Sequence, residues 1–345
     1  LSREILPAYV SKRRWFGSKG ERLDGVSLVS ATPLPFVGNI LLGELEANLE
    51  GHTETYLLPL AAAWDETHPS ALAQQLALGR IRQGRRVGFL TDGFAMESMA
   101  RGIIRALCER SRVSGRAGTL EFIGTENLDC MGITDEMQVH WLSAEQSNSS
   151  LIVGDMAMIK LIRHIFPGIH PEVEMTRYLT KVGFANTAPL LGEVARIAPD
   201  GSRFTLIIVQ GAIRNQGDAW TWMLGNLRRG MDEILLTGGE DEVIHDQFRP
   251  LVDFAGTIGQ RLGELHVALA RETDDPDFKP VKATQDDVVT WRQSVTSQIE
   301  TALDILTSET ADLEASVAQR VQPLLARREE LLAAAARLAD AAEGA

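Results

Sequence analysis

Residues 145–160 read Glu-Gln-Ser-Asn-Ser-Ser-Leu-Ile-Val-Gly-Asp-Met-Ala-Met-Ile-Lys. The run opens on small polar residues, Ser147-Asn148-Ser149-Ser150, and passes into an apolar triplet, Leu151 to Val153, that predicts a strand. Gly154-Asp155 is a two-residue hairpin signal. A second apolar run, Met156 to Ile159, ends in Lys160. A polar loop ahead of paired strands presents backbone N–H groups and hydroxyls to an anion. Lys160, at the end of the second strand, aims a flexible ammonium at the same place. An ordinary surface hairpin with an exposed lysine is the competing reading.

The residues after Lys160 weigh against that bland alternative. Pro167-Gly168 makes a turn, and Pro171 sits where the first turn of a helix tolerates proline. Glu172 and Glu174 favour the helix N-terminus. Met175, Tyr178, Leu179 and Val182 recur at helical spacing, and Gly183 is a stop. Glu174 borders the apolar stripe on one side and Glu172 on the other. Periodicity alone does not choose which reaches Lys160, and both acids can equally serve only the helix dipole.

At 345 residues the chain has the length of two or three domain-sized units. Its 44% hydrophobic and 23% charged content is that of a globular protein. The net charge of −13 argues against a nucleic-acid binder, which would concentrate Lys and Arg. Two cysteines, Cys108 and Cys130, form no Cys-x-x-Cys and point to reduced thiols in a cytoplasmic setting. No apolar run approaches the roughly 18 residues of a membrane span, and no signal peptide opens the sequence. The first residue is Leu, which suggests an excised or processed region.

Working outward, a short helix up to Val10 runs into Arg13-Arg14-Trp15-Phe16-Gly17 with Lys19 nearby. Such a cluster is either a phosphate or sugar platform or, more commonly, aromatic packing with snorkelling cations. Strands are expected over 26–29, 40–47, 53–58 and 87–90, and helices over 69–85 and 96–110. Short strands follow near 122–123 and 138–142. A second hairpin, 190–197 and 203–210, turns at Pro199-Asp200-Gly201 and spills into Gly211-Ala212-Ile213. Beyond residue 218 the pattern is helical: one helix fading near Thr237, an acidic loop over 238–247, and a long helix over 251–270. A further helix is capped by Thr284 and Asp287, and the last covers 312–343.

Taken together these segments resemble the bacterial maltokinases, and equally the kinase-like C-terminal region of bifunctional trehalose synthase/maltokinase proteins. The matching stretches include LPAYVSKRRWFGSKGE, QSNSSLIVGD with IKLIR, PGIHPEVEMTRYL, IVQGAIRNQGDAW and GQRLGELHVALA, in order from residue 6 to about 270. The resemblance implies an α+β, protein-kinase-like (aminoglycoside-phosphotransferase-like) fold. It implies an N-terminal β-rich cap over 1–125, a nucleotide-binding lobe over 126–213 and an incomplete helical C-lobe over 214–345. It also implies ATP-dependent phosphorylation of maltose in the cytoplasm, with Mg²⁺, on a route from trehalose to glycogen, with trehalose synthase as a partner. Neither nucleic acid nor membrane is an expected partner. Carried over by motif, Lys160 contacts the phosphates, Glu174 is its helix partner, and Ser147, Asn148, Ser149 and Ser150 form the phosphate loop. Gln210, Gly211 and Ile213 form the hinge that holds adenine.

One departure stands out. Phosphoryl transfer needs a carboxylate to orient or deprotonate the attacking hydroxyl, and another to hold Mg²⁺. The family draws these from a His-Gly-Asp loop and a later Asp-Phe-Glu-like segment, yet none of the seven histidines here precedes Gly-Asp. Asp253-Phe254 falls mid-helix with Phe254 on the apolar stripe, which reads as packing. No catalytic residue or metal ligand is therefore assigned, and the chain is expected to be the N-terminal part of a kinase, inactive by itself. A non-catalytic kinase-like scaffold, or a relative acting on glucosamine, are the alternatives. Neither Gly-x-Ser-x-Gly, His-Glu-x-x-His nor a Walker lysine loop offers another chemistry.

Overall fold

A computed structural model describes residues 4–129, 131–134, 136–142, 148–237, 241–310 and 313–340. The chain begins with α1 (Ile5–Val10) and a first antiparallel sheet. That sheet comprises β1 (Leu23–Pro33), β2 (Ile40–Leu49), β3 (His52–Trp64), then, after α2 (Ala71–Gln75), β4 (Ala77–Gln83) and β5 (Arg86–Asp92). Its order is β1-β2-β3-β5-β4. Next come α3 (Glu97–Cys108), β6 (Arg112–Gly115), β7 (Gly118–Gly124), α4 (Glu126–Asp129), β8 (Val139–Trp141), β9 (Ser149–Val153) and β10 (Ala157–Leu161). β11 (His164–Ile165) returns to pair with β3. α5 (Pro171–Lys181), β12 (Leu190–Ile197) and β13 (Arg203–Gly211) complete a second sheet of order β6-β7-β12-β13-β10-β9-β8. α6 (Ala219–Thr237) and α7 (Asp241–Leu269) follow. The fold is α+β and protein-kinase-like, with an N-terminal cap.

The chain divides into two compact units, residues 1–268 and 269–345. The second unit holds α8 (Gln285–Glu309), α9 (Ala315–Leu325) and α10 (Arg328–Asp340). Thr284 caps α8 in a capping box with Asp287, as its sequence predicts. The single last helix expected over 312–343 is instead two: Pro323 removes an N–H near the end of α9, and the chain restarts at Arg328.

In the first unit one apolar cluster runs from β2 and β3, through Met99, Ile103 and Leu107 of α3, to Leu151, Ile159 and Leu161 of the second sheet. Each such side chain contributes about 1.5–3 kcal/mol when fully buried. Close approach is built in at Gly102 of α3, where a Cβ would lie 1.8 Å from Val37 Cγ1. Two buried ion pairs also tie the sheets. Arg163 Nη2 meets Asp92 at 2.7 Å, each side chain 1% exposed. Arg196 of β12 meets Glu44 of β2 at 2.6 Å.

Three further expectations change. The helix expected over 69–85 is short α2 followed by β4, because residues 77–83 pair with β5 across the turn at Gly84, whose φ is +61°. The acidic loop expected over 238–247 is helical from Asp241 onward. The second sheet starts earlier than the division expected near residue 125, since β7 pairs with β12 along residues 119–124. The aromatic rings after α1 pack inward: Trp15 and Phe16 are buried, with ring centroids 5.6 and 5.4 Å from Tyr56.

Candidate functional site

The hairpin of β9 and β10 turns on Gly154 and Asp155 at φ +57° and +53°, the left-handed pair a type I′ turn requires. The turn fixes the register: Lys160 lies opposite Ser150 on β9 and opposite Ile208 on β13. Strand alternation puts Ala157, Ile159 and Leu161 into the core and sends Met158 and Lys160 to the other face. α5 covers that face, where Val173 packs with Ile162, Leu190 and Ile208.

Lys160 Nζ lies 2.5 Å from Glu172 Oε1, the two side chains being 21% and 29% exposed. The partner is therefore Glu172 and not Glu174. Two residues turn a helix by roughly 200°, so the two acids leave α5 in nearly opposite directions and only one can face β10. His170 caps the helix, its Nδ1 accepting the Glu172 N–H at 3.2 Å. Burial holds the His170 imidazole below its usual pKa; Glu172 opposes that shift and Lys160 adds to it.

The remaining expected residues divide. Ser150 shares the Lys160 face by register. Ser149 does not: its Oγ is buried and accepts from Arg163 Nε at 2.8 Å. Asn148 Oδ1 accepts the Arg163 N–H at 3.4 Å. Ser147 lies outside the described residues. Gln210 is buried, and its Nε2 donates to Thr176 Oγ1 of α5 at 3.2 Å, so the side chain braces β13 against the helix. The Gly211 N–H is taken by the Pro189 carbonyl and the Ala212 N–H by the Met156 carbonyl, at 2.9 and 2.8 Å. Ile213 is 62% exposed, and among the described residues no acceptor takes its N–H.

Sequence reasoning passed over Arg163 and Asp92. Arg163 also donates Nη1 to the Leu57 carbonyl, and its own carbonyl accepts the Leu57 N–H at 2.7 Å. Its guanidinium lies 5.2 Å from the Trp15 ring centroid. The available signal was an arginine inside the apolar run Leu161-Ile162-Arg163-His164-Ile165-Phe166. Among the described residues no three His, Cys, Asp or Glu side chains converge. No described side chains are assigned to Mg²⁺, and no step is routed through it. Phe254 packs on Trp222 at 4.7 Å, as a packing residue would.

Residues 9–95 match the family model described as the maltokinase N-terminal cap domain. A glucosamine kinase of Mycolicibacterium smegmatis (strain ATCC 700084 / mc(2)155) is 28% identical over 201 residues, 58% of this chain and 43% of that protein. Among solved structures, a glucosamine kinase in complex with glucosamine, ADP and inorganic phosphate superposes with a TM-score of 0.54 at 16% identity. A second crystal form of a glucosamine kinase gives 0.55, also at 16% identity. Each superposition covers 97% of this chain and 64% of the other. The chain thus spans less than half the length of the curated relative. No helix among the described residues is long and apolar enough to cross a membrane.

Proposed function

We propose that this chain supplies the cap and the nucleotide-holding lobe of an ATP-dependent sugar kinase. The observation that carries the reading is the Lys160–Glu172 pair, 2.5 Å apart, on the sheet face that also bears Ser150. In protein kinases a strand lysine meets the α/β-phosphates and is held by a helix glutamate. In this reading Lys160 contacts the phosphates, Glu172 holds it, and Ser150 lines the phosphate loop. The exposed Ile213 N–H faces the adenine edge, while Gln210 and Gly211 set the hinge by bracing rather than by touching the base. Maltose is the acceptor proposed from the likeness of residues 9–95 to the maltokinase cap, with trehalose synthase as partner. Glucosamine is the second reading, favoured by the 28% identical relative. A non-catalytic scaffold is favoured only by the lack of converging carboxylates among the described residues.

Titration calorimetry with ATP on the wild type, Lys160→Ala and Glu172→Ala tests the site. The expected dissociation constant is nearer about 1 mM than 1 μM, a span of roughly 4 kcal/mol, because no described carboxylate cluster brings Mg²⁺ to the triphosphate. Equal binding by the wild type and Lys160→Ala removes Lys160 from the site. No binding by any of the three supports the scaffold.

A further inference from the structure

A cavity of about 560 Å³ lies beside the first sheet, lined by Lys12, Arg13, Arg14, Trp141, Ser149 and Arg163 among others. Its charge is unusual for a chain of net charge −13: four cations line it against one carboxylate, Asp92. That carboxylate is already consumed, 2.7 Å from Arg163. Among the described residues no carboxylate comes within ion-pair reach of Lys12, Arg13 or Arg14. Arg13 is held in place by stacking 4.0 Å over the Tyr9 ring, with its Nε buried and without a hydrogen-bond partner. Lys12 and Arg14 are exposed at the rim, where their heads are free to turn inward.

We propose that this cleft is a second anion site, distinct from the Lys160 face, that takes a small phosphomonoester. Three cations without carboxylate partners beside a concave wall favour a dianionic head group, since guanidinium forks match phosphate oxygens. The Ser149 hydroxyl and the Gln75 amide add neutral contacts on the wall. The volume suits a ligand of small-metabolite size, and Trp141 and Leu142 give its organic part an apolar side. Ser149 faces this cleft through Arg163, whereas Lys160 points from the opposite face of the same hairpin. The Lys160 ammonium therefore points away from this cleft, Ser150 lies at the edge between the two faces, and the inference does not depend on the nucleotide reading.

Calorimetry with inorganic phosphate, and separately with glycerol phosphate, tests the proposal on the wild type, on Lys160→Ala and on Lys12→Ala/Arg14→Ala. Sodium chloride at matched ionic strength is the control. Lys12 and Arg14 are exposed, so their truncation leaves the fold intact, which the ligand-free thermal midpoint verifies. The expected result is millimolar binding by the wild type and Lys160→Ala alike, weakened about tenfold or more in the double variant. Three results overturn the proposal: unchanged binding in the double variant, loss of binding in Lys160→Ala, or a response that chloride reproduces. Absence of any phosphate binding overturns it as well, and leaves the ATP titration to stand or fall separately.

Discussion

Two carboxylates sit two positions apart in the first turn of α5, and helix phase decides which one the lysine meets. Glu172 faces β10 and Glu174 does not, so the two should separate cleanly in a binding assay. Glu172→Ala is expected to weaken ATP binding by about tenfold, by freeing Lys160 to wander, and Glu174→Ala by no more than about twofold. The reverse ranking in calorimetry would return the role to Glu174. Neither change should cost much stability, because a pair 21% and 29% exposed is worth about 1 kcal/mol or less. Arg163 and Asp92 behave oppositely. Each side chain is 1% exposed, so removing one leaves the other charged and dry. Asp92→Ala is expected to cost about 3–5 kcal/mol in urea unfolding, far more than the loss of any surface pair. The same substitution also removes the acceptor of the Phe94 N–H, 3.0 Å away. A cost below about 1 kcal/mol would show that water reaches Arg163 in solution.

Elements test the packing between the sheets. Gly102 lies in the interior of α3, where helix propensity alone makes alanine better by about 1 kcal/mol. The Val37 methyl 1.8 Å from the would-be Cβ opposes that gain, and β-branched valine has little freedom to yield. Gly102→Ala is therefore expected to destabilise by about 1–3 kcal/mol in chemical denaturation; a stabilised variant would mean that the 34–37 segment gives way easily. The same contrast between local and distant explains how far the sequence could be read. The β9–β10 hairpin, α5 and the β12–β13 hairpin are legible because alternation, turn residues and Pro171 are local signals. Lys160 is legible for the same reason, as the polar end of an apolar strand. Residues 77–83 carry Leu78 and Ile81 at a spacing that suits a helix, yet the hairpin with β5 wins because pairing satisfies a backbone ladder. The membership of β7 in the second sheet depends on β12, whose pairing partners lie some seventy positions on, as in Gly124 with Gly192. Arg163 and Asp92 are separated by 71 positions, and nothing near either one announces the other.

At the scale of the whole molecule, protonation and chemistry set two further limits. Burial lowers the pKa of both His164 and His170 in the folded chain, so each is preferentially neutral there. A depressed folded pKa contributes stability that is complete above the unfolded value of about 6.5 and is lost as pH falls through the folded one. The thermal midpoint is therefore expected to fall as pH drops below about 6.5. His170→Asn keeps a capping side chain and should flatten part of that slope. A midpoint flat across the window would mean that both imidazoles protonate without cost. Phosphoryl transfer is the second limit, and it follows from what transfer requires rather than from what binding requires. In the proposed reading Lys160, Glu172 and the hinge would hold a nucleotide, but the attacking hydroxyl needs a carboxylate to orient it and the triphosphate needs metal ligands. No His-Gly-Asp occurs in the 345 residues, and no described acids converge. Removing even one charge-stabilising group commonly costs about a hundredfold or more in rate. This polypeptide, incubated with ATP, Mg²⁺ and either maltose or glucosamine, is expected to form no sugar phosphate while still binding ATP weakly. Turnover at ordinary kinase rates in a purified sample would mean that a carboxylate within these residues performs both roles, and scanning Asp and Glu variants for loss of that turnover would find it.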